Sequence, residues 1–229
     1  MKKVATKLRD ACNKGDAAAV TRLFRDEGGA AAINACLENG TRPIHIAVRK
    51  GSVPIATKLL DSGARVTEVD SEGRTALHDA AGALVHSDVL VNMFCTERPG
   101  DMGRLVAAKT NRGRTALHEA TAAGNIRAAE ILIAQGEMAD VSVNEVDEEG
   151  RSALLLALQC HKQAARKGVV ELLLSKGASP LSRGVMEAAK AASGTDMEDI
   201  RDLLRHEIVR RGRADFTPVV DRWCRGRRG

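Results

Sequence analysis

Short apolar runs punctuate this chain at intervals of a few tens of residues, each in the same place within a longer pattern. Residues 53–60, 126–133 and 169–174 are rich in Val, Ile, Leu and Ala and read as helices that bury one face. Glycine follows each run, at Gly63, Gly136 and Gly177, where the left-handed position past a helix end favours it. A shorter apolar segment stands ahead of each run. There, Arg-Thr-Ala-Leu-His-x-Ala occupies residues 74–80 and again 114–120. Degraded copies stand at 42–47 (Arg-Pro-Ile-His-Ile-Ala) and 152–157 (Ser-Ala-Leu-Leu-Leu-Ala).

The copies are in phase. Steps from His45 to His78, then His118, then Leu155 are 33, 40 and 37 residues, a spacing that signals stacked repeats. Thr75, Thr115 and Ser152 stand where an N-cap hydroxyl satisfies an orphan backbone N–H. Pro43 falls in a first helical turn, where its missing N–H costs nothing. Small Ala47, Ala80, Ala120 and Ala157 suit helices that approach closely. Short loops such as Lys50-Gly51-Ser52 and Ala123-Gly124-Asn125 separate the two helices, and Asp/Gly-rich links such as residues 70–73 and 147–150 lead onward. Each unit therefore predicts a helix, a tight turn, a second helix and a hairpin-like connector.

These landmarks resemble the ankyrin-repeat family, whose signature is Thr-Pro-Leu-His-x-Ala followed by Gly, an apolar second helix and Gly-Ala. The resemblance covers residues 4–208 and implies an all-α repeat solenoid of about six helix–turn–helix units. Residues 40–69 form the fullest unit. Atypical terminal units are expected at both ends, one built from Leu8-Arg9-Asp10-Ala11, residues 20–24 and residues 29–34, the other from residues 185–189 and 197–204. The chain divides into a solenoid, 1–208, and an Arg-rich tail, 209–229. It departs from the pattern where seven extra residues separate His78 from His118, assigned to residues 96–104 with Pro99, Gly100 and Gly103. Smaller insertions fall near 137–143 and 159–167. Such insertions are either part of a binding face or tolerated surface expansion.

The resemblance also implies a function. Family ligands meet connector tips and inner helices, which form a concave surface. The expected protein-binding residues are then Arg74, Arg114 and Arg151 in a column after each connector glycine, with Glu72, Arg112 and Glu149 at the tips and Asp79 and Glu119 on inner helices. The alternative for the Arg column is solubility or pairing between neighbouring units. In this family the repeated histidine is a structural hydrogen-bonding residue. Stacked helices lie about 8–10 Å apart, too far for His45, His78 and His118 to share a zinc ion that draws nitrogens to about 2.0–2.1 Å. His118-Glu119 lacks the second histidine of a zinc-protease helix, and the chain has no glycine-rich phosphate loop. No enzyme, cofactor or metal is expected.

Composition adds compartment and charge. The five cysteines (Cys12, Cys36, Cys95, Cys160, Cys224) form no C-x-x-C, and the first residues lack the apolar stretch of a signal peptide. No apolar run approaches the roughly 18 residues of a membrane span. Together these predict reduced thiols in the cytoplasm or nucleus and a chain that is monomeric alone. Of 35 basic and 30 acidic residues, residues 205–229 hold eight arginines and three acids, leaving the rest balanced at 27 each. Arg210, Arg211, Arg213, Arg222, Arg225, Arg227 and Arg228 suit an acidic partner (nucleic acid, protein surface or anionic membrane) or else a solubilising segment. Residues 217–223 read as a short helix that docks its tryptophan on the last unit or serves as a linear motif. Two functions follow: a non-catalytic protein-interaction module or adaptor, and a nucleic-acid-associated protein whose tail contacts phosphates.

Overall fold

A computed structural model describes residues 2–26, 32–37, 40–192, 194 and 196–211. Among these residues the alternation of apolar runs and turn residues yields thirteen helices, and no strand beyond an isolated bridge between Val146 and Ser152. The helices are α1 (Lys2–Lys14), α2 (Ala17–Asp26), α3 (Pro43–Arg49), α4 (Val53–Asp61), α5 (Ala76–Ala81), α6 (Ser87–Glu97) and α7 (Met102–Ala107). They continue as α8 (Ala116–Ala122), α9 (Ile126–Met138), α10 (Ala153–Gln159), α11 (Gln163–Ser175), α12 (Val185–Ala191) and α13 (Met197–Arg210).

Twelve of them pair into six units, α1/α2, α3/α4, α5/α6, α8/α9, α10/α11 and α12/α13. The first helices of the units stack in one layer, α1 on α3 on α5 on α8 on α10 on α12. The second helices stack in the other. The six-unit solenoid expected from the repeat phrase is the architecture observed. Ala47, Ala80, Ala120 and Ala157 are fully buried in the first layer, where small side chains let helices close on one another. Leu59, Leu90, Leu132 and Val170 fill the space behind them, each buried aliphatic contributing roughly 1.5–3 kcal/mol.

The histidines join units. Nδ1 of His78 accepts the backbone N–H of Thr75 at 3.2 Å, with the Thr75 hydroxyl 2.9 Å away. The proton therefore sits on Nε2, which donates to the Arg114 carbonyl of the next connector at 3.0 Å. His118 repeats this with Thr115 and the Arg151 carbonyl at 3.2 Å. Ser152, with Leu155 at the repeat position of the histidine, accepts the N–H of Leu155 in the ordinary capping manner. Connectors also stack through their backbones: Asn111 N–H donates to the Glu72 carbonyl and Glu148 N–H to that of Arg112, both at 2.9 Å.

Two details differ from the sequence reading. Gly63 and Gly177 do take left-handed backbone (φ 91° at each), but Gly136 lies inside α9, which runs on to Met138 and leaves the left-handed position to Asp140 (φ 57°). A side chain at Gly136 would approach the Val141 carbonyl to 3.3 Å, so this glycine admits a returning chain and does not end the helix. The extra residues at 96–104 do not form a loop. After a 3-10 turn at Pro99–Asp101, α7 packs on α9 and buries Met102, Leu105 and Val106. Those three positions have i, i+3, i+4 spacing, and apolar burial outweighs the breakers Pro99, Gly100 and Gly103. Of the terminal segments expected, residues 27–31 and 217–223 lie outside the described residues.

Burial lowers the pKa of His45, His78 and His118 below the ordinary 6.5, and it is only partly opposed by the Arg114 and Arg151 carbonyls that His78 and His118 grip and by neighbouring carboxylates. Below about pH 6.5 the unfolded chain then binds more protons than the folded one, so stability is complete above that pH and declines as pH falls towards the folded values. The urea midpoint should drop between about pH 7.5 and 5.5; an unchanged midpoint would show that the rings are not held neutral. A second expectation concerns Gly73 (φ 72°), where a Cβ would stand 2.8 Å from the Asn111 backbone nitrogen. Gly73→Ala should cost the left-handed strain of about 1–2 kcal/mol and also displace the next connector. Gly63→Ala, with nothing within 4 Å, should cost the strain alone. Equal losses in denaturant titrations would contradict this contrast.

Candidate protein-binding face

The connectors and the first-layer helices bring the expected charged residues onto one face, but they divide them into two classes. Asp79 on α5 has a fully covered side chain. Its carboxylate meets Arg74 at 2.8 Å and Arg49 of the preceding unit through two contacts, 3.0 and 3.3 Å. Arg49 also reaches Asp70 at 3.6 Å. Asp70 Oδ1 accepts the N–H groups of Glu72 and Arg74, which fixes the connector tip. Thr110 does the same for Arg112 and Arg114 with its hydroxyl, and Asp147 for Glu149 and Arg151.

The arginine column is therefore anchored. Arg114 lies 3.6 Å from Glu119 and 3.5 Å from Asp147, and Arg151 lies 2.8 Å from Asp147 and 2.7 Å from Glu149. Side-chain exposures of Arg74, Arg114 and Arg151 are 25%, 19% and 22%, so most of each guanidinium stem is already covered. Burial acts to raise the Asp147 pKa, yet its hydrogen bonds from the Arg151 backbone and side chain prevail and hold the carboxyl below its ordinary range. What solvent meets first is Glu72, Arg112 and Glu149 at the tips. Between two connectors, a cleft of about 440 Å³ is lined by Arg49, Asp70, Glu72, Arg74, Asp79 and Leu84 among others.

A family model described as ankyrin repeats (3 copies) matches residues 8–98 and again 88–183. This chain belongs to the ankyrin-repeat family. No curated protein matches it. Ankyrin repeats generally mediate protein–protein interaction, and the face just described is built from the same elements in three consecutive units of this ankyrin-repeat protein. Among the described residues no group of three or more His, Cys, Asp or Glu could hold a metal, and no helix is long and apolar enough to cross a membrane. Burial pushes the Cys12 thiol up to about 12 and raises that of Cys95, the opposite of what activates a nucleophile.

Sequence reasoning missed Arg49, Asp70 and Asp147, whose partners lie up to 33 residues away. The basic-tail residues separate as well. Arg210 and Arg211 belong to the end of α13 and its first following residue, and both pair with Glu207. Arg211 also donates to the carbonyls of Leu174 and Gly177, stapling α13 to the end of α11. Arg213, Arg222, Arg225, Arg227 and Arg228 lie outside the described residues.

Removing the Asp79 carboxylate leaves two partly covered guanidinium groups without it. Asp79→Ala should cost about 2 kcal/mol, reduced from the several expected of a fully buried pair because Arg49 is half exposed. Glu72→Ala, on the exposed tip, should stay within about 0.5 kcal/mol. Urea titrations of both variants would show it, and a neutral Asp79→Ala would refute the anchoring role.

Proposed function

We propose that this chain is a non-catalytic protein-binding module or adaptor whose receptor surface is the concave face of connector tips and first-layer helices. The observation that carries this reading is the fixed presentation of Glu72, Arg112 and Glu149 on three consecutive tips. Each tip is set by a side-chain acceptor at its base, and successive tips are joined by backbone hydrogen bonds. Charges held in register across stacked units select partners by complementarity and disfavour wrong ones. Arg74, Arg114 and Arg151, with Asp79 and Glu119, act mainly by holding that surface in shape and contribute their exposed edges to contact. The chain's charge points to the sign of the partner. Residues 27–204 hold 20 basic and 24 acidic residues, whereas residues 1–26 hold seven and three, so the body of the array is mildly acidic.

Reversing the column arginines would disturb the anchors as well as the surface, so the tips are the better test. The full chain and a Glu72→Arg, Arg112→Glu, Glu149→Arg variant would each be used to capture proteins from the native cells. Unchanged thermal melting with loss of the captured proteins is the expected result. Capture of the same proteins by both would sink the assignment of this face.

A further inference from the structure

The turn between α5 and α6 carries an apolar ridge that its counterparts lack. In the flanking units the left-handed residue of this turn comes six positions after the histidine, at Gly51 and Gly124; here it comes eight after, at His86 (φ 54°). Two of the seven extra residues between His78 and His118 are therefore in this turn, and Leu84 and Val85 stand 82% and 53% exposed.

The turn is pinned from both sides. The His86 ring donates to the Gly51 carbonyl at 3.1 Å, and Asn125 donates to the carbonyls of Ala81 and Ala83 at 2.8 and 3.0 Å. Val85 closes over Gly51, leaving no room there for a methyl group. Leu84 is thus held outward by its neighbours. Exposing a leucine forgoes roughly 1.5–3 kcal/mol, and left-handed backbone at a residue other than glycine costs about 1–2 more. Strain and exposure together at a well-fastened site point to function.

Leu84 and Glu72 both line the 440 Å³ cleft, Glu72 in the connector before α5 and Leu84 in the turn after it. Between them, Arg49 and Arg74 are matched by Asp70 and Asp79, so the exposed Glu72 is the charge left over. Its carboxylate forms no salt bridge among the described residues. From Thr75 to Gly82 the helix between them rises about 10 Å at 1.5 Å per residue, so an extended chain needs at least about three residues to run from one to the other. We propose that the cleft takes an extended segment of a partner protein in which an apolar side chain and a Lys or Arg stand at least three positions apart. The apolar group seats on Leu84 and the cation on Glu72. This rests on the reading of the face as protein-binding and specifies its partner.

Random dodecapeptides displayed on phage would be selected against the full chain. Recovered peptides would then be titrated by fluorescence polarisation against the parent, Leu84→Met, Leu84→Asp and Glu72→Lys, each checked for unchanged melting. The expected result is enrichment of the apolar–basic spacing, near-parental binding by Leu84→Met, and losses of about tenfold or more for the other two, equivalent to about 1.4 kcal/mol. Acidic peptides, peptides indifferent to Leu84→Asp and Glu72→Lys, self-association of the chain in place of peptide binding, or no enrichment would each overturn the proposal. Peptides that instead lose affinity on Arg112→Glu or Glu149→Arg would leave the face a receptor and remove only this cleft from it.

Discussion

A buried imidazole that caps its own helix with one nitrogen and grips the next unit's connector with the other couples local structure to stacking throughout the middle of this array. Neither bond is strong, since a net hydrogen bond contributes about 0.5–1.5 kcal/mol. Their value lies in geometry. The ring of His78 can satisfy Thr75 and Arg114 together only if the two units sit in one register, and leaving either nitrogen buried and unpaired is costly. The upstream end of the chain shows the contrast: His45 Nε2 is buried without a hydrogen-bond partner among the described residues, so the bridging begins at His78. Register is set most firmly across residues 74–152, a stretch that holds the Arg112 and Glu149 tips and begins two residues after Glu72.

The buried carboxylates extend that logic to charge. Asp79 and Asp147 each join arginines from two successive units. Covered ion pairs are weak evidence for stability because desolvation offsets much of the attraction. They do fix where guanidinium groups lie. The face consequently carries charges of two kinds, those consumed in holding units together and those left exposed at the tips. Residue type alone cannot sort them, and for that reason the arginine after each connector glycine looked more available in the sequence than it is.

What was legible in the sequence followed from local causes. Caps, alanine contact positions and the histidine spacing recur because each unit solves the same stacking problem, so the solenoid and its six units could be read directly. The failures were tertiary. Gly136 carries the same residue type as Gly63 but serves the approach of Val141, and nothing within α9 distinguishes the two. The α7 helix was hidden by Pro99, Gly100 and Gly103, although Met102, Leu105 and Val106 bore a helical period. Arg49 meets Asp79 across 30 residues at a position with no motif of its own. The turn at Leu84 left a countable trace, eight positions in place of six between histidine and left-handed residue, but only once the flanking turns were known to share that landmark.

Repetition restricts where such an array can differ from its relatives. A residue inside the repeated phrase serves its own helix, its neighbour's connector and the core, so a change there is felt by two units at once. Stability in a stacked array is close to a sum of unit and nearest-neighbour terms. A turn lengthened at a junction therefore perturbs one interface and leaves the remainder intact. The Gly82–His86 turn meets that condition: the flanking units clasp it through Gly51 and Asn125, its strain is confined to His86, and its added residues project into solvent. Apolar exposure that would be a liability on an unsupported loop becomes, when held rigidly beside a cleft with one unmatched carboxylate, a defined place for a partner to bind.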